Sequence, residues 1–502
     1  MQQNEEKHGS VQLALPDRTL PFEVALECTL PDYRSEISRL LWVRPTLLPP
    51  ERFIGGGKAE FSAKLLLEIL YAGPDGALYG AEQEGGYSFT VPLDGAYAAQ
   101  GVDVFAEPVV DAVISRVTGP RRLSVRCRSH ALVRTFAEKS LALHQRGLPD
   151  GARPHLLCDA AEVGREIGGG REEILLSDSI PCDKDAQVIC ARGNIFLPDV
   201  HAATDEVRVN GEAVLTLLTV QGEQGLPCAI EKRIPFDTRI PLEGVRPDHE
   251  ACAQGTLGRI DVSVQDGQIL LSPQVILCAK AQKNEPITLC RDTFLPGQDV
   301  ACRFEEFPAW QSTVCCNKHF SICAERDAAE LGIGEETEIL DQVCEAEICE
   351  RAVENGKLTL SGRLQCHLLC RRGGELCTQD ATLPFRLSPG IGGERTLVDC
   401  RVAGARARLQ NGTLRADAEL QLSLCDGAPL PLRALCEASF TPTPAVSRAA
   451  IELYYPTAEQ TLWDVAKAHG VSPDALAEAN ALDADAPADA TSLEGKRFLL
   501  IP

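Results

Sequence analysis

Apolar and polar residues alternate through most of this chain of 502 residues. Leucine or alanine occupies every second position from Leu414 to Leu424, and polar or charged residues fill the positions between them. Such spacing is typical of a β-strand that has one face buried and the other in water. Helical periodicity is weak over most of the chain, so the pattern predicts a mainly β fold.

One pattern of this kind occurs three times. In each copy a small residue precedes an apolar run, and these runs span residues 63–71, 211–219 and 362–370. A glycine turn follows, and then a strand that is centred on an aromatic residue, which is Phe89, Phe236 or Phe385. The spacing between copies is nearly constant, which indicates an internal repeat.

A tight hairpin follows later in each copy. It ends at Gly119-Pro120 in the first copy, and its turns are Asp266-Gly267 and Asn411-Gly412 in the others. Asp-Gly and Asn-Gly supply the positive φ angles that two-residue hairpins require. The two landmarks together predict three tandem repeats that resemble β-sandwiches or barrels. The predicted repeats span residues 1–145 (with an N-terminal extension), 146–295 and 296–445.

Glycine also marks predicted connections in the chain. The triplet Gly168-Gly169-Gly170 is predicted to form a flexible joint, because glycine leaves the backbone unusually free. The stretch Gly55-Gly56-Gly57-Lys58 lacks the upstream glycine and the following Ser or Thr of a phosphate-binding loop. It is predicted to lengthen a connection between strands.

The last segment, residues 449–502, has a different pattern, in which short apolar runs at both ends flank two amphipathic stretches. Thr461 is the predicted N-cap of the first helix, which ends at Gly470. Ser472 and Pro473 open the second helix, which ends at Asn480. The sequence therefore predicts a strand–helix–helix–strand module. Its predicted core consists of Leu462, Val465, Leu476, Leu493, Phe498 and Leu500.

This module resembles the LysM family. Glycan-binding LysM modules use the loop before the first helix and the loop after the second. The resemblance therefore implies a binding site at Glu459, Gln460, Thr461, Leu462, Trp463, Asn480 and Leu482.

The sequence does not decide which ligand the module binds, because the first loop has Glu459-Gln460-Thr461 in place of the usual Gly-Asp-Thr. The acidic residues Asp483, Asp485 and Asp489 favour a protein ligand over a sugar. A glycan ligand and a purely structural module are the alternatives. Trp463 is predicted either to be a partly buried helix residue that packs on the second strand or to anchor a partner from an exposed position.

The three repeats resemble the spore-coat SPOCS repeat. The resemblance depends on the small residue before the apolar strand, the later hairpin and the endings Pro92-Leu93-Asp94-Gly95 and Pro241-Leu242-Glu243-Gly244. The third copy has Ser388-Pro389-Gly390 in place of that ending. SPOCS repeats followed by one LysM module are similar to sporulation morphogenetic proteins that interact with the coat ATPase.

This resemblance implies a non-enzymatic scaffold for spore-coat assembly. Its LysM domain would tether it to a coat morphogenetic ATPase or to other coat proteins at the forespore surface, in the cytoplasm of the mother cell. The alternative is a peptidoglycan-binding cell-wall protein that acts through the LysM domain.

The net charge and the absence of known motifs argue against several classes of function. The net charge of −23 argues against nucleic acid as a partner, because phosphate binding needs clustered Lys and Arg. No secretion signal and no apolar stretch of membrane-spanning length is visible, so the chain is expected to be soluble and to have no integral membrane segment. No catalytic, nucleotide-binding or metal-ligand motif is present. We therefore expect no enzyme, no catalytic residue, no cofactor and no metal.

The chain contains 21 cysteines, and none are spaced as CxxC. Three hypotheses fit this composition. The cysteines are small apolar core residues, they cross-link the protein oxidatively in an assembly, or they hold a metal ion.

Overall fold

The structure is a computed structural model, and it confirms the mainly β prediction. It describes residues 4–93, 101–221, 227–334, 336–354, 357–393, 396–444, 452–457, 460–482, 493 and 496–502. These residues form 23 strands and two short helices near the C-terminus. No helix in the described ranges is long and apolar enough to cross a membrane.

The first sandwich consists of two sheets that are packed face to face. Its strands are β1 Asn4–Ala14, β2 Arg18–Thr29, β3 Arg39–Leu47, β4 Glu51–Gly55, β5 Lys58–Ala72, β6 Leu78–Pro92, β7 Val102–Gly119 and β8 Arg122–Arg146. β5 pairs with β3, β4 and β6, whereas β8 pairs with β1, β2 and β7. Leu65, Leu67 and Ile69 of β5 pack against Leu123 and Val125 of β8, and this contact forms the core.

The second sandwich repeats this plan. Its strands are β9 His155–Leu175, β10 Asp178–Pro181, β11 Ala186–Ala203, β12 Glu206–Gln221, β13 Pro227–Pro241, β14 Glu250–Gln265 and β15 Gln268–Phe294. One sheet has the order β11-β12-β13, and in the other β15 pairs with β9, β10 and β14. Leu215 and Leu217 of β12 and Leu271, Val275 and Leu277 of β15 belong to its buried core.

The third sandwich contacts both of the others. Its strands are β16 Gln298–Asp327, β17 Glu338–Glu354, β18 Lys357–Arg372, β19 Glu375–Leu387, β20 Leu397–Gln410 and β21 Thr413–Pro442. One sheet has the order β17-β18-β19, and in the other β21 pairs with β16 and β20. β21 also pairs in parallel with β8, where Glu437 is opposite His144 and Ser439 is opposite Arg146. The first and third sandwiches therefore share one sheet, and the sheets stay open rather than closing into barrels.

The predicted hairpins form where the sequence places them. Asp266 and Gly267 have φ angles of 50° and 74°, and Asn411 and Gly412 have φ angles of 50° and 76°. Gln265 pairs with Gln268 across the first of these turns, so the turn contains two residues. These angles are the ones that a type I′ hairpin requires.

The small residue before each apolar run has a steric cause in the second and third sandwiches. The three runs lie on the central strands β5, β12 and β18. Gly211 is directly opposite Phe236, and Gly362 is directly opposite Phe385. A Cβ atom at Gly211 would lie 2.4 Å from the Phe236 ring, so the ring covers the glycine. An aromatic side chain that covers a cross-strand glycine in this way stabilises an antiparallel pair.

We expect Gly362→Ala to lower the unfolding free energy by about 1–3 kcal/mol, because overpacking in a dense core is destabilising. The new Cβ atom would lie 2.5 Å from the backbone oxygen of Glu347 and 2.5 Å from the Phe385 ring. Urea unfolding of both proteins measures the difference. Gly86→Ala on β6 is the matched control, since its Cβ atom would lie 4.0 Å from its nearest neighbour. An equal effect of the two substitutions would contradict the steric explanation.

The prediction of a flexible joint at Gly168-Gly169-Gly170 is wrong. The triplet lies inside β9, where it pairs with residues 279–281 of β15. A Cβ atom at Gly169 would lie 2.8 Å from the Phe105 ring of the first sandwich, and one at Gly170 would lie 2.7 Å from the Pro241 oxygen. Gly169 and Gly170 therefore permit close packing, whereas Gly168 has a φ angle of 147° and lies at a bulge of β9.

The stretch Gly55-Gly56-Gly57-Lys58 lies between two strands as predicted, but it does not lengthen the connection. Gly55 pairs with Lys58, and Gly56 and Gly57 form a two-residue turn with φ angles of 59° and 75°. The repeat boundaries at residues 145, 295 and 445 stay predictions.

Candidate functional site

The C-terminal module has the predicted strand–helix–helix–strand order. β22 spans Glu452–Tyr454, α1 spans Leu462–His469, α2 spans Pro473–Ala479 and β23 spans Leu499–Ile501. β22 and β23 pair in antiparallel fashion, with Leu453 opposite Leu500.

Thr461 caps the first helix as predicted. Its hydroxyl oxygen accepts a hydrogen bond from the Asp464 backbone N–H at 3.2 Å, and Asp464 Oδ2 accepts one from the Thr461 N–H at 2.9 Å. This reciprocal pair is a capping box. The helix stops at Gly470, which adopts φ = 58°. Ser472 occupies the cap position of α2, but its side chain makes no cap hydrogen bond, and Pro473 fills the first turn.

The loop before α1 is held by Gln460. Its Oε1 atom accepts hydrogen bonds from the Tyr454 hydroxyl at 2.9 Å and from the Thr457 backbone N–H at 3.0 Å. Gln460 therefore ties the first loop to strand β22. Leu462, the next apolar residue, is buried in the module core. Glu459 lies outside the described residues.

The chain after α2 is held by Asn480. Its Nδ2 atom donates to the backbone oxygens of Leu476 and Leu500, both at 2.8 Å, and its Oδ1 atom accepts from the Leu500 N–H at 2.7 Å. Asn480 therefore ties the end of α2 to strand β23. Leu482 packs partly buried against the core, and its N–H donates to the Ala477 oxygen at 2.9 Å. Asp483, Asp485 and Asp489 lie outside the described residues.

The core of the module differs from the prediction at its last strand. Leu462, Val465, Leu476 and Leu493 are buried as expected. Leu499 and Ile501 are 0% and 6% exposed, whereas Phe498 and Leu500 are 49% and 36% exposed, so the predicted burial of Phe498 and Leu500 is wrong. Successive side chains of a strand point to opposite faces, so an error of one position in register exchanges the inner and outer sets.

Trp463 is only 4% exposed, which excludes the hypothesis of an exposed anchor. Its ring packs edge-on against Phe294 of the second sandwich, with the ring centroids 5.0 Å apart. Its Nε1 atom donates to Asp292 Oδ2 at 2.9 Å. The tryptophan is therefore an internal contact between the module and the second sandwich.

The module is docked on the end of β15. Lys467 Nζ donates to both carboxylate oxygens of Asp292, at 2.6 and 2.7 Å. Leu157 and Phe294 join the buried apolar cluster of the module. We name Asp292, Phe294 and Leu157 the docking seat. The sequence alone does not reveal this contact, because Asp292 and Trp463 are 171 positions apart and no local motif links them.

A second candidate site is a cavity of about 690 Å³ where the three sandwiches meet. Glu107, Lys280 and Arg401 line it, one from each sandwich. Gln254 Nε2 donates to Glu107 Oε1 at 3.0 Å, and Arg401 lies 3.7 Å from that oxygen and 2.7 Å from Asp399. Burial raises the pKa of the Glu107 carboxyl. Arg401 is therefore paired with both Glu107 and Asp399, and the absence of enzymatic activity stays a prediction.

The cysteines are all thiols, since no disulfide joins any of the 21. Several are buried in the sandwich cores, among them Cys127, Cys366 and Cys370. Within the part of the chain that the structure describes, no three His, Cys, Asp or Glu side chains are grouped so that they could hold a metal ion.

Comparison with known proteins identifies the C-terminal module. The family model of the LysM domain matches residues 457–488. No curated protein and no solved structure matches the chain. The likeness of the sandwiches to SPOCS repeats stays a prediction. Residues 457–488 are therefore a LysM domain, which follows three β-sandwiches in this chain.

Proposed function

We propose that this protein is a non-catalytic attachment protein whose LysM domain binds a glycan containing N-acetylglucosamine, such as peptidoglycan. The observation that carries the proposal is the LysM match at residues 457–488. The three sandwiches serve as the scaffold to which the LysM domain is docked.

The site that the family resemblance implies is held in place before any ligand arrives. Gln460 fixes the loop before α1 to β22, and Asn480 fixes the chain after α2 to β23. Because β22 and β23 are paired, both segments are anchored on one small sheet. The side-chain polar groups of Gln460 and Asn480 are used inside the domain, so these two residues would hold the backbone that meets the ligand. A preformed site of this kind loses little ordering entropy on binding.

Retention on purified peptidoglycan tests this proposal. The full chain should be retained, and a chain that lacks residues 449–502 should not. Gln460→Ala should weaken binding by up to about 30-fold, since it removes two hydrogen bonds worth about 1 kcal/mol each that hold the loop. Glu478→Gln is the control, because Glu478 is exposed on α2 and forms none of these contacts. Failure of the full chain to bind peptidoglycan would overturn the glycan proposal.

A second candidate function is a spore-coat scaffold that the LysM domain tethers to a coat morphogenetic ATPase. Glu459-Gln460-Thr461 in place of Gly-Asp-Thr favours it, because the missing glycine removes backbone freedom close to where an N-acetyl sugar would lie. The net charge of −23 also suits a basic protein surface better than a neutral sugar. Removal of residues 449–502 should then abolish recruitment to the forespore surface. Unchanged forespore localisation of the truncated chain would exclude this tether.

A further inference from the structure

Cysteines occupy directly opposed positions on neighbouring antiparallel strands four times in this chain. The opposed pairs are Cys158 with Cys290, Cys315 with Cys425, Cys344 with Cys366, and Cys370 with Cys377. Directly opposed residues have Cβ atoms about 4.5–5.5 Å apart. A small movement of the strands therefore brings two such sulfur atoms within bonding distance.

The four pairs differ in how a reagent in solution reaches them. Cys344 and Cys366 are 7% and 1% exposed, although their sulfur atoms are only 3.2 Å apart. Cys158, in contrast, is exposed on β9, and its partner Cys290 on β15 is 2% exposed. The Cys158–Cys290 pair therefore combines one sulfur that a reagent can attack with one that is shielded.

The contacts of Cys290 hold it beside Cys158. Cys158 is directly opposite Cys290 on the neighbouring strand. Cys290 Sγ also donates to the Asp292 backbone oxygen at 3.5 Å. The strand bulge between Cys290 and Asp292 follows directly, so the ladder at this point is already irregular. An irregular ladder accommodates the shift that a sulfur–sulfur bond needs more easily than a regular one.

We propose that Cys158 and Cys290 form a reversible disulfide within the chain when the protein meets a low-molecular-weight disulfide such as oxidised glutathione. The Cys158 thiolate attacks one sulfur of the reagent, which forms a mixed disulfide and releases one glutathione thiolate. Cys290 then loses its proton and attacks Cys158 Sγ, which releases the second glutathione. The two protein thiols lose two electrons and two protons, and the reagent is reduced to two thiols.

The disulfide would form beside the docking seat of the LysM domain. Leu157 directly precedes Cys158, and Asp292 and Phe294 follow Cys290 within four residues. Asp292 and Phe294 contact Trp463 of the LysM domain, and Leu157 belongs to the same buried cluster. Oxidation would therefore link β9 to β15 covalently, next to the residues on which the LysM domain is docked.

Peptide mass mapping of the folded full chain after treatment with oxidised glutathione tests the proposal. Cys228 is the internal control, because it is exposed and is opposite Thr219 rather than a thiol. We expect Cys228 to keep glutathione, whereas the peptides of Cys158 and Cys290 become linked to each other without glutathione. In Cys290→Ser, glutathione on Cys158 should rise about tenfold, to the level found on Cys228.

A second variant separates this chemistry from a folding defect. In Cys158→Ser the exposed thiol is lost, and we expect buried Cys290 to stay unmodified, like Cys344 and Cys366 in the intact protein. Glutathione retained on Cys158 to the same extent with and without Cys290 would overturn the proposal. Modification of Cys228 with no reaction at Cys158 would overturn it as well.

Discussion

Replacement of Arg192 by alanine is expected to lower the unfolding free energy by about 3–5 kcal/mol, since it leaves a buried charge without its partner. The Arg192 guanidinium on β11 donates to the Asp341 carboxylate on β17. The two side chains are 5% and 0% exposed. Without Arg192, Asp341 would keep only the backbone N–H of Gln342 as a donor to its Oδ1 atom.

The large effect is expected because Arg192 contacts all three sandwiches. It lies in the second, pairs with Asp341 of the third, and is 3.9 Å from Glu68 of the first. Its guanidinium also lies over the Trp42 ring, 5.5 Å from the centroid, and Trp42 Nε1 donates to Glu68 at 3.3 Å. Loss of Arg192 therefore removes its ion pair with Asp341 and also weakens the contact among the three sandwiches.

Urea unfolding measures this loss. Arg239→Ala is the control, because that side chain is 66% exposed and its ion pair with Glu206 is 3.9 Å long, so we expect a change below about 0.5 kcal/mol. The double variant Arg192→Met with Asp341→Leu should recover part of the stability, since apolar residues can replace a buried pair. A loss below about 1 kcal/mol in Arg192→Ala would show that the buried pair is not required.

The second large effect is expected for Trp463→Ala, at about 3–5 kcal/mol for the LysM domain, as for other buried tryptophans. A module of this size has a stability of only about 3–5 kcal/mol from its own core. Loss of the Trp463 ring removes its contact with Phe294 and its hydrogen bond to Asp292. We therefore expect the LysM domain to unfold in the variant while the sandwiches stay folded.

Hydrogen exchange of residues 462–479 in the full chain measures this effect. Asp292→Ala removes the acceptor on the second sandwich to which Trp463 and Lys467 donate. It should raise exchange less than Trp463→Ala, because it leaves the LysM core intact and its unpaired donors cost about 1–3 kcal/mol. Asp159→Ala is its control, since Asp159 is also on the second sandwich but pairs with Arg291 on the surface. Unchanged exchange in both Trp463→Ala and Asp292→Ala would contradict the docking described here.

The features that the sequence predicts correctly are those set by neighbouring residues. Asn411-Gly412 needs only its own positive φ angles to form a hairpin, and Thr461 needs only Asp464 to cap a helix. The docking seat depends instead on Asp292 and Trp463, which are distant in sequence. Their identity carries no local signal, because an isolated Asp or Trp fits many environments.

Two predictions were wrong because they depend on distant residues. They are the burial of Phe498 and Leu500 and the flexible joint at residues 168–170. Phe498 and Leu500 alternate correctly with Leu499 and Ile501, but alternation alone does not say which set points inward. The glycine triplet at residues 168–170 has the composition of a joint. The Phe105 ring and the Pro241 oxygen, which are distant in sequence, explain why Gly169 and Gly170 must be glycine.

The parallel pairing of β21 with β8 limits how this architecture can change in length. In an open solenoid each unit contacts only its neighbours, so units can be gained or lost one at a time. Here the third sandwich pairs with the first, and the Arg192 guanidinium of the second sandwich contacts residues of both. A fourth unit inserted between these sandwiches would have to break the pairing of β21 with β8 and the contacts of Arg192.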